Sequence, residues 1–138
     1  MILSIPWLII SVILYNLIAF SFGNAGVPAE VFNGALLTIP MISGASWAMT
    51  LGDLLIVVTL AILFVELVKA TRTSETAILD HALSMILFII CVIEFLTVRH
   101  AATSVFFIIV AITLIDVVAG FTITIRAARR DLALGGGN

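Results

Sequence analysis

Charge is scarce in this 138-residue chain, because Asp, Glu, Lys and Arg together make up 10% of it, against about 25% in an ordinary soluble domain. Apolar residues account for 63%, well above the usual level of about 45–50%. A soluble domain of this size needs polar groups to cover its surface, and so few charges exclude that arrangement. We therefore expect the chain to lie in a lipid bilayer.

Basic residues, cysteine and catalytic motifs are equally scarce. Six Lys and Arg against eight Asp and Glu make no basic patch, so no nucleic-acid partner is expected. The single cysteine, Cys91, excludes an intrachain disulfide and a multi-cysteine metal site. His81 and His100 stand about 28 Å apart along one helix, too far to share a haem. Without a His-Glu-x-x-His run, a Gly-rich phosphate loop or a Ser-His-Asp set, we expect no metal, no cofactor and no enzymatic activity.

Four long apolar runs are present, at residues 2–22, 51–70, 78–98 and 102–125. A helix of about 20 residues crosses the hydrocarbon core of a bilayer, and the runs lack the alternation of barrel strands. The sequence therefore predicts an all-α integral membrane protein: a single domain over 1–130, forming a four-transmembrane-helix bundle, and a flexible tail over 131–138. A cleavable signal peptide is the alternative for the first run, which has no basic residue before it and is longer than a usual signal core.

The basic residues predict the orientation, because juxtamembrane Lys and Arg are retained in the cytoplasm. Five of the six fall on one side of a four-span arrangement, namely Lys69, Arg72, Arg126, Arg129 and Arg130. Only Arg99 falls on the other side. We expect an inner-membrane protein of a bacterium with both termini in the cytoplasm.

The segment between the first two runs, residues 23–50, contains no basic residue and is expected outside. Pro28 and Glu30 stand where a helix start would place them, and Val31–Ile39 is mostly apolar. A helix of about ten residues cannot span a bilayer. We therefore predict a short extra helix that is either interfacial, with Trp47 at the headgroups, or re-entrant and packed against protein.

Small and polar residues form one stripe on each of the last three predicted helices. The second carries Gly52, Thr59 and Glu66 at seven-residue intervals, the third Asp80, Ser84, Cys91 and Glu94, and the fourth Thr113, Asp116, Gly120 and Thr124. Polar groups inside a membrane usually face the bundle interior. We expect the three stripes to meet there.

Helical rise sorts the polar residues into two layers. An inner layer, about 21–22 Å from the outer end of each span, is predicted to hold Glu66, Asp116 and Ser84. An outer layer, within about 9 Å of the outer face, is predicted to hold Asp53, Glu94 and Asn16. Two facing carboxylates in a low dielectric retain a proton or a cation. These six residues are therefore the candidate ion or proton pathway.

Simpler structural roles compete for most of these positions. Glu66 lies one turn before Lys69 and pairs with it in the alternative interpretation. Glu94 lies close to Arg99 for an interfacial salt bridge, and Asp53 is near the surface. Asp116 has no basic residue within a helical turn, which makes it the strongest functional candidate.

Two functions from different classes remain open. One is an oligomeric proton- or cation-translocating module that uses the intramembrane carboxylates. The other is a non-catalytic accessory or assembly subunit of a larger membrane complex, in which the same carboxylates bind partner helices. The expected partners are the lipid bilayer and either further copies of the chain or the subunits of that complex.

Overall fold

The computed structural model describes residues 5–22, 28–72 and 76–136, and 78% of them are helical. In chain order the elements are α1 (Leu8–Phe22), α2 (Pro28–Asn33), β1 (Ala35–Pro40), β2 (Ser46–Thr50), α3 (Leu51–Ala70), α4 (Ala77–Thr97), a 3₁₀ turn (Arg99–Ala101) and α5 (Ser104–Gly135). Three parts of our sequence predictions lie outside the described residues: the first residues of span one (2–4), the start of the outer segment (23–27) and the end of the tail (137–138).

Three helices, α3, α4 and α5, are long and apolar enough to cross a membrane. The spans predicted at 51–70 and 78–98 match α3 and α4 to within one residue. The helix α5 begins at Ser104 and continues to Gly135, so that residues 131–135, expected in a flexible tail, are helical. The helix α1 is shorter, at 15 residues, or about 22 Å. This length is less than the thickness of the hydrocarbon core, so α1 does not confirm the predicted fourth span.

The prediction of one helix over Val31–Ile39 is wrong beyond Asn33, because residues 35–50 form an antiparallel β-hairpin. The fold is therefore mostly helical, as predicted, but it includes one small sheet and is not all-α. Gly34 follows the end of α2, and Pro40 would interrupt any helix that continued through β1. The hairpin turns at Gly44, whose φ of 86° is in the left-handed region that glycine adopts without strain. Both strands are largely exposed.

The helix α5 is the centre of the bundle, since it packs along both α3 and α4, and α1 packs mainly against α3. Side chains fix where two of these helices begin. Thr50 and Asp53 form a reciprocal capping box at the start of α3, and the Thr103 hydroxyl accepts the Phe106 N–H at the start of α5. Beside the first of these, Gly52 lies so close to α5 that an added Cβ would stand 2.7 Å from a methyl group of Val105.

A buried cluster around Tyr15 joins α1 to the end of the bundle at which α4 ends and α5 begins. This end is opposite to the C-terminus of α3. The Tyr15 hydroxyl donates to the carbonyl oxygen of His100 at 2.8 Å and hydrogen-bonds with the Thr103 hydroxyl at 2.6 Å. Its ring stacks on Phe32 of α2 with the centroids 4.5 Å apart, and it contacts Phe106 at 4.8 Å. The cluster fixes α2 and the middle of α1 against α5.

Candidate functional site

A polar cavity lies where the C-terminus of α3, the N-terminus of α4 and the middle of α5 meet. Its enclosed space is about 20 Å³, enough for about one water molecule. The polar side chains that line it come from all three helices and from the residues that follow α3. They are Glu66, Lys69, Arg72, Asp80, His81, Ser84, Asp116 and Thr124. The three residues predicted to form the inner layer, Glu66, Ser84 and Asp116, thus line one cavity, which we call the inner cavity.

Glu66 is buried, with 5% of its side chain exposed, and both of its carboxylate oxygens have partners. Its carboxylate accepts the backbone N–H of Trp7 at 2.5 Å and lies 3.2 Å from the ammonium of Lys69. The same ammonium donates to the carbonyl oxygen of Ile5 at 3.3 Å. The ion pair between Glu66 and Lys69, which the alternative interpretation predicts, is therefore present. This pair also binds the residues at the start of α1.

Asp116 lies on α5 with 5% of its surface exposed. Ser84 of α4 lines the same cavity as this carboxyl group. Over the described ranges Asp116 forms no ion pair, in contrast to Glu66. Glu66 and Lys69 are close enough to Asp116 to act on it electrostatically. Asp116 is thus a buried acid that has charged neighbours on another helix but no direct cationic partner among the described residues.

His81 also lines the inner cavity, although it was not predicted to lie in the inner layer. Its Nε2 atom hydrogen-bonds with the Thr124 hydroxyl at 2.6 Å, and its ring lies against Phe121 with the centroids 4.8 Å apart. A Cβ at Gly120 would stand 3.0 Å from the imidazole, so this glycine makes room for the ring. The sequence feature that could have predicted this position of His81 is the pair Gly120 and Thr124, which lie one turn apart on the polar stripe of α5 at the depth of His81.

Asp80 stands at the edge of the inner cavity beside His81. One of its carboxylate oxygens, Oδ1, is buried and lacks a hydrogen-bond partner among the described residues. A buried carboxylate oxygen without a partner is unfavourable unless a proton or water satisfies it.

The predicted outer layer comes together only in part. Asn16 of α1 donates its side-chain amide to the Val12 carbonyl of its own helix at 3.0 Å, and the Glu94 Oε1 atom of α4 is buried with no partner in the described part of the chain. Asp53 is exposed and belongs to the capping box with Thr50, where its carboxylate accepts the Thr50 N–H at 2.9 Å. The role of these residues in a pathway stays a prediction.

The two polar regions are separated by about 15 Å, the rise from Ser84 to Glu94 on α4. The buried residues between them on this helix are Leu87 and Cys91. Thr59 and Thr113 are buried on the neighbouring helices, but each donates its hydroxyl to a carbonyl of its own helix. The interval is thus mainly apolar.

Comparison with known proteins identifies no relative: no family model, no curated protein and no solved structure matches this chain. In the residues that the structure describes, no group of three or more His, Cys, Asp or Glu side chains is arranged to hold a metal ion.

Proposed function

We propose that this protein is a small integral membrane protein that binds and exchanges a proton in the inner cavity, as one unit of a proton-translocating oligomer. The observation that carries the proposal is the cavity itself. Carboxylates from three helices line a single polar space inside an otherwise apolar bundle, and intramembrane carboxylates typically mark ion paths and proton relays.

The charge of the cavity favours a proton as its occupant. Three carboxylates, those of Glu66, Asp80 and Asp116, face two cationic side chains, Lys69 and Arg72. With His81 neutral, one negative charge is left over, and a single proton cancels it. A metal cation would approach two positive groups in a space that holds about one water, so the proton is the better candidate.

Within this proposal, Asp116 is the group that gains and loses the proton. Its carboxyl group is buried and lacks a direct cationic partner, whereas that of Glu66 is occupied by Trp7 and Lys69. His81 lines the same cavity, and an imidazole changes protonation state near neutral pH. It is therefore suited to pass the proton between Asp116 and the inner solution.

We further propose that α1 is the fourth span and that the inner cavity faces the cytoplasm. The start and the middle of α1 contact different levels of the bundle: the Trp7 N–H binds Glu66, near the C-terminus of α3, and Tyr15 binds the carbonyl of His100, between α4 and α5. The Lys and Arg residues concentrate at the Glu66 end, which favours a cytoplasmic position for both termini. Enzyme fusions at the C-terminus and near Gly44 are expected to report opposite compartments.

A proton that leaves the inner cavity toward the outer side must cross the apolar interval at Leu87 and Cys91. The described residues of one protomer provide no continuous polar path there. We therefore propose that the remaining part of the path runs along an interface between copies of the chain. Oligomerisation is thus part of the proposed function.

The test is proton flux into proteoliposomes under an imposed potential, followed with an entrapped pH-sensitive dye. Asp116→Asn should reduce the flux at least ten-fold, while Asp131→Asn, the same change at an exposed position outside the cavity, should leave it nearly unchanged. Repeating the assay with a dye that reports potassium or sodium in place of the pH-sensitive dye distinguishes a proton path from a cation path. Absence of flux in the unaltered protein would contradict the proposal.

A second candidate function is an accessory or assembly subunit of a larger membrane complex, and the hairpin favours it. Residues paired across the strands project from the same face of the sheet, and the pairs Ile39 with Trp47 and Leu37 with Met49 place four large apolar side chains together. Leu37, Ile39 and Trp47 are exposed. Purification in mild detergent discriminates: fixed partner proteins favour the accessory role, and a pure homo-oligomer favours proton translocation.

A further inference from the structure

A second groove lies at the inner end of α5, separate from the inner cavity. It has a volume of about 360 Å³ and is lined by Thr71, which follows α3, and by Ile123, Arg126, Ala127 and Arg130 of α5. The groove forms because α5 continues for several turns beyond the last residue of α3, Ala70. No part of the proposed proton function requires it.

The two arginines of this groove are one turn apart on the same face of α5. Both side chains are exposed, and neither forms a hydrogen bond or an ion pair with the described residues. Asp131, which follows Arg130 in sequence, does not line the groove. Ile123 and Ala127 supply an apolar floor. The groove thus combines two free guanidinium groups with a hydrocarbon surface beside them.

The position of the groove along α5 corresponds to the edge of a bilayer. Counting from Ser104, a helix crosses about 30 Å of hydrocarbon in about 20 residues, which ends near Ile123. Arg126 and Arg130 then lie about 5 and 10 Å further out, at the depth of lipid phosphates. Ile123 remains at the level of the acyl chains.

We propose that this groove binds the headgroup of an anionic phospholipid of the inner leaflet. The phosphate accepts paired N–H groups from Arg126 and Arg130, because the planar guanidinium fork matches phosphate oxygens, and the glycerol and upper acyl carbons lie on Ile123 and Ala127. The charge of the groove is complementary to this ligand. The cytoplasmic surface of a membrane is also where anionic lipids and basic pockets meet.

The experiment measures phosphatidylglycerol bound to the purified full-length protein by native mass spectrometry, with phosphatidylcholine as the neutral comparison. Arg126→Gln and Arg130→Gln should each weaken phosphatidylglycerol binding about five-fold, the factor for one cation near an anionic surface, and phosphatidylcholine binding should not change. Arg126→Lys should give an intermediate loss, since it keeps the charge and loses the fork. Both positions are exposed, and thermal unfolding verifies that the three variants fold.

The matched control is Arg129→Gln, which removes the same charge from the same helix but at a position outside the groove. Retention of binding in this variant supports a site, whereas a loss equal to that of Arg126→Gln overturns the proposal in favour of general attraction to a basic helix end. Inorganic phosphate at millimolar concentration should not displace the lipid. Full displacement would overturn the lipid as ligand and assign the groove to free phosphate.

Discussion

The carboxylate of Glu66 on α3 accepts the backbone N–H of Trp7, 59 residues earlier in the chain. The first N–H groups of any helix lack partners within that helix, and a negative charge near them is favourable. Glu66 therefore caps α1 from another helix, while Lys69 balances its charge and holds the Ile5 carbonyl. One residue thus fixes α1 to the bundle and forms a wall of the inner cavity.

Glu66→Ala should release the start of α1. The substitution leaves the Trp7 N–H and the Lys69 ammonium without their acceptor, and an unsatisfied buried polar group costs about 1–3 kcal/mol. We expect faster hydrogen exchange at residues 7–11 and a lower midpoint of thermal unfolding. Glu66→Gln is the matched control, because its amide oxygen still accepts the Trp7 N–H. Equal exchange in both variants would contradict the capping role.

Glu66 and Asp116 should act as coupled groups in a double-mutant cycle. Both line a cavity with one unbalanced negative charge, so neutralising one changes the proton affinity of the other. Glu66→Gln combined with Asp116→Asn should reduce proton flux about as much as the worse single change, a coupling energy of at least about 0.5 kcal/mol. Purely additive effects would mean that Glu66 serves only α1 and Lys69.

Gly120→Ala should displace the imidazole of His81 and weaken its 2.6 Å bond with Thr124. The new Cβ would stand 3.0 Å from the ring, and the ring has little room because it packs on Phe121. The expected result is a shifted His81 imidazole resonance in NMR spectra and a reduced proton flux. Gly135→Ala meets no atom within 4 Å and should change neither. An unmoved resonance in the Gly120 variant would remove His81 from the site.

The long helices and the inner layer were predictable from the sequence for one reason. An apolar run of about 20 residues permits few structures in lipid, and the constant rise of a helix then assigns a depth to each residue. Those depths correctly placed Glu66, Ser84 and Asp116 beside one another. The pathway role assigned to them is a separate, chemical prediction.

Contacts that depend on two elements at once were not predictable in this way. The bond from Trp7 to Glu66 uses a backbone N–H, which every residue except proline has. His81 was missed because only its partners on α5, Gly120 and Thr124, place it in the cavity. The apolar segment Val31–Ile39 fits a helix or a strand until its pairing with residues 46–50 is considered, since local sequence determines strand pairing poorly.

The register of the hairpin determines which residues of its two strands share a face. Thr38 lies directly opposite Ala48, and Ile39 directly opposite Trp47, so Thr38 and Ala48 share one face and Ile39 projects from the other. Thr38→Cys with Ala48→Cys should form a disulfide under a mild oxidant, because cross-strand Cα separations fit disulfide geometry. Ile39→Cys with Ala48→Cys is the control and should stay reduced, since its side chains project from opposite faces. Counting free thiols in the full-length protein, with the buried Cys91 as background, gives the readout. Equal oxidation of both pairs would mean that residues 35–50 form a loose loop, and the apolar hairpin face would then no longer support an accessory role.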